Sequence, residues 1–162
     1  VSALERILFE QYQKAVKSGS GSSQSCLFPQ QISLNPSDFS LVMGLKEEIN
    51  QLGFEFEQMG DHMIVIQGIP SELAPCNEKE VFEGLIEQDK FNAEKLDLPK
   101  NESLARALAK RTAGSKCKGL KEEEIDHVMD KLFACEQPNY APDGNPTYVL
   151  VSLDQISGWV RK

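Results

Sequence analysis

Two hydrophobic periods divide this chain, and the point where they change over limits the folds open to it. Up to Ile69-Pro70, helix-period and strand-period segments alternate. Beyond it, residues 77–91, 101–113 and 120–135 all read as helices, and a β-branched strand pattern (Thr147, Val149, Val151) returns only at 147–153. The first segment, 3–17, spaces Leu4, Ile7, Leu8, Tyr12 and Val16 as a helix does. A serine- and glycine-rich connector at 18–23 breaks it. A strand is predicted at 27–34, and Pro29 near its start places it at a sheet edge. Asn35 then caps a helix that has Pro36 at its first position and Asp38 in its first turn. Phe39, Val42, Met43, Ile49 and Leu52 give that helix, 36–52, an apolar stripe ending at Gly53. Residues 54–57 and 63–66 read as a hairpin turning at Gly60-Asp61. Asn77 with Glu80 forms a capping-box pattern, and Asn101 is the expected cap of the next helix. Ile156 and Trp159 sit on a short terminal helix.

The order is helix, strand, helix, hairpin, three helices, strand, helix. An α+β fold in which a helical insertion interrupts a sheet accounts for it. A length of 162 residues fits one medium domain or two small subdomains. No apolar run approaches the ~20 residues needed to cross a bilayer. Val1 begins mid-helix by pattern, so no signal peptide is expected and the start reads as a cut from a longer chain. Cys26, Cys76, Cys117 and Cys135 are widely spaced without a C-x-x-C motif, which reads as four thiols in a cytoplasmic protein. The net charge of −8 argues against a surface that coats nucleic acid. Residues 103–121 are the exception. They carry Arg106, Lys110, Arg111, Lys116, Lys118 and Lys121 and no acid, leaving 11 basic against 25 acidic residues elsewhere. That segment is either a solvated helix face or a contact with a phosphate backbone.

The stretch 134–147 reads Ala-Cys-Glu-Gln-Pro-Asn-Tyr-Ala-Pro-Asp-Gly-Asn-Pro-Thr. It resembles the place where the C-terminal domain of the MutL mismatch-repair family usually reads A-C-…-C-P-H-G-R-P-T. Pro142, Gly144, Pro146 and Thr147 keep the frame, whereas Ala141 stands at the family's metal-binding Cys, Asp143 at its His and Asn145 at its Arg. The family's opening element, D-Q-H-A-x2-E-x4-E, is matched by Glu5 and Glu10, with Val1 at the His position. A second element, A-C-x-x-A, is matched by 109–113 with Lys110 at the Cys position. The resemblance implies a discontinuous sheet-containing dimerisation subdomain (1–70 and 134–162) and an inserted helical external subdomain (71–133).

A hydrolytic metal site needs several His, Cys or carboxylate donors at one point. Of the family's ligand positions, Val1, Lys110 and Ala141 cannot serve normally, while Glu5 is retained and Asp143 is an altered oxygen donor. A lysine ammonium there also repels a divalent cation. The expectation is a domain with no metal, no catalytic residues and no nuclease activity. The alternative is a nicking endonuclease using Glu5, Glu10 and Asp143 as substituted ligands. His62, at the hairpin, and His127, on an acidic helix, have no motif around them and read as ordinary residues. No phosphate-cradling glycine loop is present, so no cofactor is expected, and the resemblance implies that ATP belongs to the family's N-terminal domain.

Gln24-Ser25-Cys26-Leu27-Phe28-Pro29 fits Q-x-x-L-x-P, similar to the sliding-clamp-binding peptide found at this place in the family. Gln24 would reach a polar rim, Leu27 and Phe28 would anchor in apolar pockets, and Pro29 would limit the entropy lost on docking. The same residues also suit a strand entering the sheet, and the two readings are compatible. The resemblance further implies a homodimer that holds two ATPase arms together and meets the mismatch-recognition protein MutS through the full-length protein. The helix 36–52, the strand 147–153 and Trp159 could supply its apolar interface. A monomeric adaptor with those stripes turned inward is the remaining alternative.

Overall fold

The computed structural model describes residues 1–73, 77–96 and 98–161, with backbone only at 95 and 96. Among the described residues there are seven α-helices and a three-stranded antiparallel sheet, so the chain is α+β as expected. Helix α1 (Ser2–Ser18) leads into β1 (Ser23–Ser33), α2 (Pro36–Gly44) and α3 (Lys46–Gln51). The hairpin β2 (Glu55–Gln58) and β3 (Met63–Pro70) follows. A single 3-10 turn (Ser71–Leu73) then leads to α4 (Glu78–Leu96), α5 (Lys100–Cys117), α6 (Glu122–Phe133) and the terminal α7 (Leu153–Val160).

Local chemistry accounts for most boundaries. Asn35 Oδ1 accepts from Asp38 N at 2.8 Å, the cap expected ahead of Pro36. The stripe read as one helix over 36–52 is two. The chain bends at Leu45, whose φ of −110° and ψ of 13° leave helical space. Gly44 is a poor helix former just before the bend. The bend also lets Val42, Leu45 and Ile49 all reach the core. Asn77 caps α4 through Glu80 N at 3.3 Å. Asn101, however, lies inside α5 rather than capping it, because Pro99 sets the entry and its carbonyl takes the first-turn amide of Ser103 at 2.9 Å.

The sheet order is β1-β3-β2, so β1 and β2 are both edges. Strand β3 alternates buried Ile64 and Ile66 with half-buried Met63 and Val65. One hydrophobic core joins the sheet to the helices. It takes Leu8, Tyr12 and Val16 from α1, Ile64 and Ile66 from β3, Phe82 and Leu85 from α4, and Leu104 and Leu108 from α5. Phe82 meets Phe54 and Phe56 edge-to-face, with ring centroids 5.6 and 5.5 Å away.

The strand expected at 147–153 does not form. Residues 148–152 carry no strand assignment, and helix α7 begins at Leu153, capped by Ser152. The pairing nearby is one isolated bridge, Tyr140 with Pro146. β-Branched residues favour extended backbone, but a strand also needs a neighbour to bond. Among the described residues, neither sheet edge takes this segment. Cys26, Cys117 and Cys135 are free and half-buried; Cys76 lies outside the described residues. No described helix is long and apolar enough to cross a membrane.

Candidate functional site

Three elements far apart in sequence converge where the first half of α1 is buried on all sides. Glu5, Arg6 and Glu10 are buried there with Ile7, Leu8 and Phe9. Their partners come from the loop at 134–147. Glu10 accepts from the backbone amides of Glu136 (2.9 Å) and Gln137 (3.1 Å). Arg6 Nε donates to the Tyr140 carbonyl at 2.5 Å, and its guanidinium lies 3.9 Å from the Glu10 carboxylate. Helix α5 adds Arg106, which donates to the Pro142 carbonyl. The loop closes on itself through Ala141 N to Asn145 O (2.8 Å) and Gly144 N to Ala141 O (2.9 Å). Gly144 has a φ of +87°, a conformation that favours glycine. Thr147 donates its hydroxyl to the Pro138 carbonyl.

Glu5, Lys110 and Asp143, read from the sequence as altered metal-ligand positions, do come together. Burial pushes the Glu5 carboxyl above its ordinary value, and Asp143 adds to the rise, while Lys110 and Arg106 oppose it. One Glu5 oxygen, Oε1, is buried without a hydrogen-bond partner among the described residues. Asp143 is engaged on both oxygens by Asn145, at 3.0 Å from its backbone amide and 2.7 Å from its side-chain nitrogen. Ala141, two residues before Asp143, is buried and offers only a methyl group. Among the described residues, no three His, Cys, Asp or Glu side chains are grouped to hold a metal ion.

The Glu5 shift sets a pH test. Folding raises this pKa, so the folded chain holds the proton more tightly than the unfolded chain does. That stabilisation is complete at low pH and is lost as pH rises from the ordinary carboxyl value, about 4.3, through the folded value. Glu5→Gln should therefore melt higher than the parent at neutral pH, and the difference should shrink towards pH ~4. A melting difference that does not change with pH would contradict this account.

The clamp-like motif occupies a different place. Gln24 pairs with Ile69 on edge strand β1, but the ladder jumps from Ser25–Gly68 to Gln30–Ile66. Five residues of β1 therefore advance against two of β3, and Cys26 to Pro29 bulge out of the ladder. Leu27 is 91% exposed and Phe28 78%. Of the basic segment, Arg106 and Arg111 have protein partners. Arg111 donates to the Glu80 carbonyl at 2.7 Å and lies so close over Gly84 that a Cβ there would fall 2.1 Å from the guanidinium carbon. Lys110, Lys116 and Lys118 are exposed and line a cleft of about 460 Å³ together with Glu72 and Glu80. Partial desolvation against the cleft wall lowers the Lys116 pKa although the residue is exposed, and the nearby Lys131 lowers it further.

Arg6 and Glu10 were not assigned these roles by sequence reasoning. The available signal was a basic and an acidic residue four positions apart amid the apolar face of a helix.

Comparison with known proteins gives the family of this chain. The model of the MutL C terminal dimerisation domain matches residues 2–120, and the chain belongs to that family. It is 32% identical over 154 residues to the DNA mismatch repair protein MutL of Pelodictyon phaeoclathratiforme, and 30% identical to that of Chlorobium phaeobacteroides strain BS1. Each match covers 95% of this chain and 25% of the relative, so the chain spans about a quarter of the length of these relatives.

Proposed function

We propose that this chain acts in DNA mismatch repair as the pairing domain of a MutL protein, with no nuclease of its own. Two copies would hold a pair of ATPase arms together, with ATP bound outside this chain. The arms and the MutS contact belong to the longer protein that the relatives represent. Family membership supports pairing, and so does the run of exposed apolar residues in the terminal segment. The sheet part would carry the pairing surface and helices α4–α6 the outer face. Such a protein would work in the cytoplasm.

The observation that carries clamp docking is the β1 bulge. Two large apolar side chains stand in water at the top of a Q-x-x-L-x-P motif, a costly placement unless another surface covers them. Such a bulge can dock without disturbing the ladder on either side. Leu27→Ala with Phe28→Ala should weaken sliding-clamp binding by on the order of 100-fold, leaving thermal stability within about 0.5 kcal/mol because both side chains are exposed. Clamp binding measured by surface plasmon resonance that survives the double substitution would dispose of the docking role. Lys110, Lys116 and Lys118 could add a weak, salt-sensitive DNA contact.

The residues at the family's ligand positions do not fit a divalent metal. Ala141 has no donor atom, Lys110 brings a cation, and Asp143 is already engaged by Asn145. Glu5 then reads as a buried carboxyl facing Lys110 and Arg106, and no hydrolytic step is derived from it. Its unbonded oxygen is the one observation that favours the alternative, a nickase with substituted ligands. Supercoiled plasmid incubated with manganese and clamp should stay intact. Nicking that is lost in Glu5→Ala would overturn the non-catalytic reading.

A further inference from the structure

The cleft of about 460 Å³ on the basic side of α5 has a more definite construction than a row of surface lysines. Lys110, Arg111, Lys116 and Lys118 line it, and Glu72 and Glu80 stand among the residues that face them. Four cations against two carboxylates leave this lining at +2, on a chain whose net charge is −8. Leu73 and Val81 add an apolar part to the wall. The volume falls within the roughly 300–1,000 Å³ of small-molecule sites.

Arg111 is held in place. Its Nη2 donates to the Glu80 carbonyl at 2.7 Å, which fixes one corner of the guanidinium. The rest lies over Gly84, where an added Cβ would overlap Cζ, Nη1 and Nε. Gly84 is buried inside α4, and glycine is a poor helix former, so the missing side chain makes the seat for Arg111. The guanidinium carries five N–H donors in a fixed fork, and one of them goes to Glu80. Gly114 is a second glycine inside a helix at this cleft. A Cβ added to it would meet nothing within 4 Å, so packing within the chain does not call for glycine there. Its effect is to keep the α5 wall low, so that a ligand can approach the backbone closely.

We propose that this cleft binds a phosphate monoester, with Arg111 as the fork that grips it and Lys110 and Lys116 as flanking charges. Such a group carries a charge of about −1.5 to −2 at neutral pH, which complements the lining. Its oxygens match the planar guanidinium fork, and a preseated fork loses less freedom on binding than a loose one. The two carboxylates in the cleft select against a continuous polyanion, because its neighbouring phosphates would meet them. The same chemistry has two sources, a free nucleotide and the 5′-phosphate at the end of a DNA strand. The second rests on the DNA contact proposed above and narrows it to one terminal group. Neither depends on pairing.

The probes are thymidine 5′-monophosphate against thymidine, and a labelled oligo(dT) carrying either a 5′-phosphate or a 5′-hydroxyl. In at least one pair the phosphorylated member should bind about 10-fold tighter or more. Tight binding of the mononucleotide assigns the free source, and binding of the phosphorylated strand alone assigns the strand end. Arg111→Lys keeps the charge but loses the fork. Gly84→Ala keeps every charge but pushes the guanidinium off its seat. Each should weaken binding of the phosphorylated probe by about 10-fold or more, whereas a loose electrostatic attraction would survive both. Arg111 is exposed, so Arg111→Lys decides the matter should Gly84→Ala fail to fold. Full affinity in either folded variant would overturn the site. Probes that bind alike with and without the 5′-phosphate, and more tightly as the strand lengthens, would also overturn it and leave a diffuse backbone contact. No binding of any probe would overturn the site and the lysine contact with DNA together.

Discussion

Phe82→Ala should destabilise the fold by about 3–5 kcal/mol, the range for truncating a fully buried aromatic residue. Phe82 is fully buried and packs on Phe54, just ahead of β2, and on Phe56 within it, so it joins α4 to the sheet. The substitution removes two edge-to-face contacts and leaves a cavity among side chains held by their own neighbours. For a chain of this size each kcal/mol moves the midpoint by roughly 2–4 °C, so the melting temperature should fall by about 6–20 °C. Phe82→Leu retains most of the volume and should cost distinctly less. Calorimetry of both variants decides the matter: an alanine variant melting within about 2 °C of the parent would mean that α4 docks through other contacts.

Glu10→Ala should be nearly as damaging, by about 3–5 kcal/mol, for an electrostatic reason. The Glu10 carboxylate accepts two backbone amides from the start of the site loop and lies 3.9 Å from the buried Arg6 guanidinium. Removing it leaves two donors unsatisfied and a buried cation without its counter-charge. Glu10→Gln keeps one acceptor oxygen and should recover part of the loss. Hydrogen exchange gives the local readout, because the amides of Glu136 and Gln137 should lose protection before the rest of the chain. If those amides stay protected in Glu10→Ala, the loop is held by Arg6 and Arg106 instead.

Elements specified by nearby residues were readable from the sequence. The cap at Asn35, the hairpin turning near Gly60, α1 and the terminal helix all follow from patterns a few residues long. The misreadings occurred where a distant partner decides. The pattern at 147–153 is strand-like, yet no strand forms without a neighbouring edge. The bend at Leu45 and the entry of α5 at Pro99 depend on what the core and the preceding turn require, which periodicity does not register. In the site, motif frames sufficed to bring Glu5, Lys110 and Asp143 together. The work of Glu10 was hidden, because its hydrogen bonds go to backbone amides 126 and 127 positions away.

The break in β1 also bears on solubility. An uninterrupted edge strand offers a row of free amides and carbonyls on which other chains can stack without limit. Here the ladder register holds at 23–25, lapses, and resumes at 30–33, with a proline in the gap. Neither remaining piece is long enough to template a growing fibre. The same few residues that hold two greasy side chains out to water thereby also guard the β1 edge of the sheet against aggregation.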